Sequence, residues 1–126
     1  MKRPDWNRPL KFKAQDNSGR WKYTIELGKT DPLMLGLVDQ TTICQYTGLK
    51  DLEGNEVYEG DVVEIHWGFS TNHVGVMQYN CHIAGYIVWD ENESGFNMVD
   101  GYVVKRLGNI FEDPKLKKKY WEVYSK

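Results

Sequence analysis

The side chains best suited to chemistry in this sequence are two carboxylates, Glu59 and Asp61, separated by a single glycine. Paired carboxylates can bind a divalent cation or transfer protons. This pair lies in a predicted tight turn, however, and Mg²⁺ sites usually take substrate phosphates as ligands too. We therefore predict a structural role, in which Gly60 takes a backbone conformation closed to other residues and Asp61 accepts hydrogen bonds from backbone N–H groups.

Three histidines and a cysteine are the candidate ligands for a transition metal. His66, His73 and His82 follow one another at intervals of seven and nine residues, and Cys81 is next to His82. Zinc sites usually contain pairs of ligands two to five residues apart, and adjacent residues in a strand point to opposite faces. The spacing therefore favours histidines at the surface or the edge of the core, and we expect no metal and no cofactor.

A phosphate-binding loop is the third possibility, because Thr47, Gly48 and Lys50 lie close together. The segment lacks the P-loop spacing of glycine and lysine and does not precede a predicted helix. We predict a turn capped by the Thr47 hydroxyl, with Leu49 buried. Since no nucleophile motif occurs and Cys44 lies in an apolar strand, we expect no catalytic residues and no enzymatic activity.

Composition indicates a globular chain of 126 residues, with 40% hydrophobic residues and a net charge of -2. The basic residues are concentrated in residues 1–22 and 115–119. No apolar run approaches the length of a membrane span, and the first residues lack the apolar region of a signal peptide. We expect a cytoplasmic protein without membrane contact, in which Cys44 and Cys81 are reduced and buried.

Alternating apolar and polar residues and short β-branched runs predict a mainly β (α+β) fold. The predicted strands are 10–14, 21–27, 33–38, 43–46, 62–67, 74–79, 85–89, 96–99 and 102–107, the first two forming a hairpin. We expect an extended arm at 1–9 and one β-rich domain at 10–126. Within it, 10–44 is an N-terminal hairpin region, 45–113 is a barrel-like core and 114–124 is a short C-terminal helix. Asp113 and Pro114 suit the start of that helix. Its apolar residues recur at helical spacing and predict a stripe that packs on the sheet, with the lysines in water: Leu116, Tyr120, Val123 and Tyr124. The core is expected to be a small SH3-like barrel or a pair of curled antiparallel sheets.

Two longer motifs accompany this pattern. Residues 45–63 read QYTGLKDLEGNEVYEGDVV, and residues 107–114 read LGNIFEDP. We expect their turn and capping residues to be structural: Thr47, Gly48, Asp51, Gly54, Tyr58, Glu59, Gly60, Asp61, Gly108, Asn109 and Pro114.

These two motifs resemble the signature segments of the YopX family, and residues 12–16 and 38–41 are similar to its opening segments. The resemblance covers about residues 10–116. It implies a protein encoded by phages and prophages, mainly of Gram-positive bacteria, in a cytoplasmic host-cell setting with self-association. It carries over no catalytic residues.

Two functions are compatible with these residues. The first is a non-enzymatic accessory or adaptor protein of a phage, which binds itself or an unidentified host or phage protein. The alternative is a small-barrel nucleic-acid-binding protein that uses its basic arm, its basic tail and aromatic residues such as Trp67, Trp89 and Phe96. The acidic residues Asp90, Glu91 and Glu93 argue against this alternative, because they would repel phosphate.

Overall fold

A computed structural model describes residues 11–23, 39–66, 73–97 and 103–125. The chain divides into two compact units, 1–48 and 49–126. The predicted arm at 1–9, the strand predicted at 33–38 and the end of the predicted hairpin after Tyr23 lie outside the described residues. The prediction of one domain from residue 10 to residue 126 stays a prediction.

The first unit contains the predicted N-terminal hairpin. Strand β1 (Phe12–Gln15) pairs antiparallel with β2 (Trp21–Tyr23) on one side and with the beginning of β3 (Cys44–Lys50) on the other. The turn between β1 and β2 is closed by Asp16, whose Oδ1 accepts hydrogen bonds from the backbone N–H groups of Ser18 at 2.8 Å and Arg20 at 3.0 Å. A 3-10 turn at Gln40–Thr42 precedes β3.

The second unit is built on a five-stranded antiparallel sheet with the order β8-β7-β6-β5-β9. The strands of this sheet are β5 (Asp61–His66), β6 (His73–Asn80), β7 (Gly85–Trp89), β8 (Gly95–Asn97) and β9 (Val103–Asn109). The short strand β4 (Glu56–Tyr58) precedes them in the chain, and helix α1 (Pro114–Tyr124) follows them. The pairing of β5 with β9 shifts by one residue between Val62 and Val63, which leaves Leu107 as the extra residue of a bulge.

Alternation along the strands gives this sheet two apolar faces, each with its own core. One core contains Val57, Val63, Ile65, Met77, Tyr86, Val88 and Val104. The other packs Val62, Val76 and Ile110 against Tyr120 and Val123 of α1. The helix covers its face with the apolar stripe that the sequence predicts, and its lysines are exposed.

The mainly β fold with curled antiparallel sheets and the C-terminal helix is confirmed. In the part of the chain that the structure describes, the five-stranded sheet ends at β8 and β9 and does not close into a barrel. The turn predicted from Thr47 to Lys50 is wrong, because these residues continue β3 and the turn begins at Asp51. The prediction that both thiols are buried is wrong for Cys81, which is exposed in the turn after β6, whereas Cys44 is buried.

Candidate functional site

Asp61 is the centre of a polar network in the second unit, and its side chain is fully buried. Its Oδ2 accepts a hydrogen bond from the backbone N–H of Tyr58 at 2.8 Å and forms an ion pair with Nε of Arg106 at 3.1 Å. Its Oδ1 accepts one from Nδ2 of Asn109, 48 residues further along the chain, at 2.8 Å. Burying a carboxylate is unfavourable unless its charge is paired and its oxygens are hydrogen-bonded, and both conditions are met here.

Asn109 extends this hydrogen-bond network to the end of β9 and to the helix. Its Oδ1 accepts a hydrogen bond from the backbone N–H of Phe111 at 2.7 Å, and its carbonyl oxygen accepts one from Asp113 at 3.1 Å. Asp113 then caps α1, because its Oδ1 accepts from the N–H of Lys115 at 2.9 Å. Asn109 therefore links the buried carboxylate to the turn that starts the helix.

Asp51 organises the turn between β3 and β4. Its Oδ1 accepts hydrogen bonds from the N–H groups of Glu53 at 2.9 Å and Asn55 at 2.8 Å. Its Oδ2 accepts from Nδ2 of Asn55 at 3.2 Å and from the N–H of Arg106 at 3.1 Å. Partial desolvation raises the pKa of Asp51, but these hydrogen bonds outweigh it and hold the pKa below its ordinary value of 3.8.

Arg106 connects the two aspartates, because its backbone N–H contacts Asp51 and its guanidinium contacts Asp61. The carbonyl of Val104, two residues before Arg106 in β9, also accepts a hydrogen bond, at 3.0 Å, from the N–H of Leu52 in the same turn. β9 is an outer strand of its sheet, so the turn occupies backbone groups that would otherwise face solvent. Arg106 was not among the residues predicted from the sequence; its signal was a basic residue inside an apolar strand, just before the second motif.

Two glycines of the first motif have the backbone conformation that their positions require. Gly54 and Gly60 have φ of +85° and +84°, a region that other residues rarely adopt. At Gly60 a Cβ would also lie 3.0 Å from the ring of Phe111. The predicted conformation of Gly60 and the predicted hydrogen bond from the backbone to Asp61 are confirmed.

The remaining motif residues lie in several places. In the first unit, Thr47 is buried in β3 and Gly48 has φ of +86°. Gly108 faces Leu116 of α1, and Pro114 is at the first position of that helix. Oε2 of Glu59 accepts a hydrogen bond from the N–H of Tyr79 at 3.1 Å, so Glu59 and Asp61 have different partners.

The histidines have separate surroundings. Nε2 of His66 lies 2.7 Å from Oε1 of Glu64, and the ring of His73 lies 5.4 Å from that of Phe96. His82 is exposed in the turn after β6. Among the residues described, no group of three His, Cys, Asp or Glu side chains converges in the manner of a metal site.

The surface of the second unit contains a pocket of about 350 Å³ between α1 and the ends of β6 and β7. We call it the Trp89 pocket; it is lined by Gln78, Asn80, Trp89, Glu93 and Val123. Oε1 of Gln78 accepts a hydrogen bond from Nε1 of Trp89 at 2.9 Å, and its Nε2 donates to the carbonyl of Tyr124 at 2.6 Å. The pocket was not predicted from the sequence, because a tryptophan before an acidic loop is also typical of an ordinary hairpin.

The edge formed by β9 and the Asp51 turn presents apolar side chains to solvent. Leu52, Val103 and Leu107, which we call the β9 patch, are 60%, 40% and 47% exposed.

Among the described helices, none has the length and apolar character needed to cross a membrane.

Comparison with known proteins agrees with the motif resemblance. The family model for the YopX protein matches residues 7–118, which is most of the chain. No curated protein matches the chain. The matched region includes both motifs and every residue of the Asp51 and Asp61 networks, and the chain belongs to the YopX family.

Proposed function

We propose that this chain is an accessory or adaptor protein of a phage or prophage, which acts in the host cytoplasm by binding proteins, including copies of itself, and catalyses no reaction. One observation carries the proposal: the carboxylates of Asp51, Glu59 and Asp61 in the first motif accept hydrogen bonds from donors of their own fold. Such groups maintain a scaffold and are poorly placed to act on a substrate.

The β9 patch supports the choice of protein partners. Leucine and valine side chains that stay in water contribute no burial energy until another surface covers them. Lys105 lies between Val103 and Leu107 in the strand and is exposed too, which gives the patch the mixed apolar and charged character of a reversible contact.

The test is the molar mass in solution, measured by light scattering at several concentrations, together with cross-linking to host proteins. We expect the wild-type chain to be a dimer or larger and the variant with Leu52→Ser and Leu107→Ser to shift towards the monomer. Ile83→Ser is the matched control, because Ile83 is 48% exposed in a turn at another edge of the sheet. A monomeric wild-type chain that cross-links to no host protein would reject the proposal.

Binding of single-stranded nucleic acid is a second candidate, favoured by the outer surface of α1. Nζ of Lys117 lies 5.0 Å from the centroid of the Trp121 ring, and the ring of Phe111 meets that of Trp121 edge-on at 6.1 Å. Trp121 is 37% exposed and Lys118 is exposed beside it. An aromatic ring flanked by lysines can stack on a base while the amines contact phosphate.

A titration with single-stranded oligonucleotide distinguishes this candidate from the first. The affinity measured at about 50 mM salt should fall strongly at about 200 mM. Binding releases condensed cations from the nucleic acid, and added salt makes that release less favourable. Trp121→Ala should reduce the affinity about tenfold, since base stacking contributes about 1–3 kcal/mol. Lys105→Gln is the control, because it removes an exposed lysine that lies on β9 and not on α1. The absence of binding at low salt would exclude this function.

A further inference from the structure

We propose that the Trp89 pocket receives an arginine side chain of a partner polypeptide. The inference rests on the proposed function, because it specifies the chemistry of one contact through which a protein partner is recognised. Its physical basis is the shape of the pocket, the charges at its rim and the aromatic ring in its wall.

The size of the pocket suits one long side chain. A volume of about 350 Å³ is near the lower end of the range for ligand pockets, which is about 300–1,000 Å³. Val123 and Trp89 supply apolar wall, against which the aliphatic part of an arginine can pack.

The charges at the pocket favour a cation. The carboxylate-bearing Glu93 is part of the lining. The C-terminal end of α1 is adjacent, because the Tyr124 carbonyl accepts a hydrogen bond from the lining residue Gln78. A helix C-terminus carries partial negative charge, and no basic residue in the last turn of α1 offsets it.

The loop that carries Glu93 is held in one conformation by its own hydrogen bonds. Oδ1 of Asp90 accepts from the N–H groups of Asn92 at 2.9 Å and Ser94 at 2.8 Å, and the N–H of Asp90 donates to the Ser94 carbonyl at 2.9 Å. Glu93 has φ of +64°, which is uncommon outside glycine. The loop therefore fixes the backbone of Glu93 beside the pocket before any partner arrives, which reduces the backbone entropy lost on binding.

Arginine fits these groups better than lysine does. Its planar guanidinium stacks on aromatic rings and donates several hydrogen bonds in one plane, and it is more weakly hydrated than an ammonium group. Trp89 offers the ring and Glu93 offers carboxylate oxygens. Oδ1 of Asn80 accepts a hydrogen bond from the N–H of His82 at 2.9 Å and has a second lone pair for the guanidinium.

The test uses the full chain and N-acetyl-arginine amide as the probe, with the indole N–H resonance of Trp89 as the NMR readout. The uncharged isostere N-acetyl-citrulline amide is the control ligand. We expect arginine to bind about fivefold more tightly than citrulline, and Glu93→Gln to remove most of that preference. Glu91→Gln is the matched control, because Glu91 is in the same loop, lies 3.9 Å from Lys119 and is not part of the lining.

A dispersed amide spectrum establishes that each variant is folded before its result is interpreted. Equal responses to arginine and citrulline, or an unchanged Trp89 resonance in the folded wild-type chain, would overturn the inference. Self-association and partner cross-linking are measured in parallel. If they persist in Glu93→Gln while the arginine preference is missing in the wild type, the pocket is wrong and the proposed function survives. If arginine binds but the chain has no protein partner, the proposed function fails instead.

Discussion

Asp51 illustrates how single residues of the first motif are used. Four hydrogen bonds from Glu53, Asn55 and Arg106 stabilise its ionised form. Three of these donors are local, and their positions follow from an aspartate that precedes a glycine-containing turn. The donor from Arg106 is 55 residues away, and no local pattern predicts it.

Acidification should therefore weaken the fold through Asp51. Its pKa is lowered in the folded chain from the ordinary value of 3.8, so the folded state binds its proton less readily than the unfolded state does. The stabilisation is complete above the unfolded pKa and is lost as the pH falls through the lower, folded pKa. The difference in unfolding free energy between wild type and Asp51→Asn should be larger at pH 7 than at about pH 3.

Urea denaturation at the two pH values measures this difference. Glu53→Gln is the control, because Glu53 is exposed in the same turn and contacts Asp51 through its backbone only. The assignment of the lowered pKa to the folded turn would be contradicted if the difference in unfolding free energy between wild type and Asp51→Asn were the same at both pH values.

At the scale of elements, sequence patterns predicted the strands that are long enough to alternate and the helix with a cap. β5, β6, β7 and α1 follow from runs of β-branched residues and from Asp113 before Pro114. β4 was not predicted, because its three residues lie between the glycine turns at Gly54 and Gly60 and do not alternate between apolar and polar. The Trp89 pocket also was not predicted, since it depends on where α1 meets the sheet, which no local spacing encodes.

Gly75 provides a test of the sheet geometry. A Cβ at this position would collide with the backbone carbonyl of Trp89, which cannot move without disturbing the pairing of β6 with β7. Gly75→Ala should lower the unfolding free energy by about 2 kcal/mol or more, a typical cost of overpacking. Urea denaturation should show no such loss for the control Gly85→Ala, where the nearest atoms are 3.7 Å from the added Cβ. Equal stabilities of the two variants would refute the described approach of the strands.

At the scale of the whole molecule, the two motifs are far apart in sequence and meet in the second unit. The sequence predicted that their residues are structural, but it did not predict that the two motifs contact each other. Asp61 from the first motif bonds to Asn109 from the second, and Arg106 joins Asp61 to Asp51. These contacts join residues that are far apart in sequence, and no local sequence pattern encodes which distant residues will meet. The motifs alone therefore could not predict the contacts between them.

A double-mutant cycle between Asp61→Ala and Asn109→Ala tests this claim most directly, with unfolding free energies measured by urea denaturation. If the motifs act as one structural network, the coupling energy should be about 1–3 kcal/mol, because each single change leaves buried partners unsatisfied. The pair Asp61→Ala and Asp90→Ala, whose side chains have no partner in common, should be nearly additive. Additivity of Asp61 and Asn109 within about 0.3 kcal/mol would show that the two motifs do not stabilise each other and would contradict the structural role proposed for them.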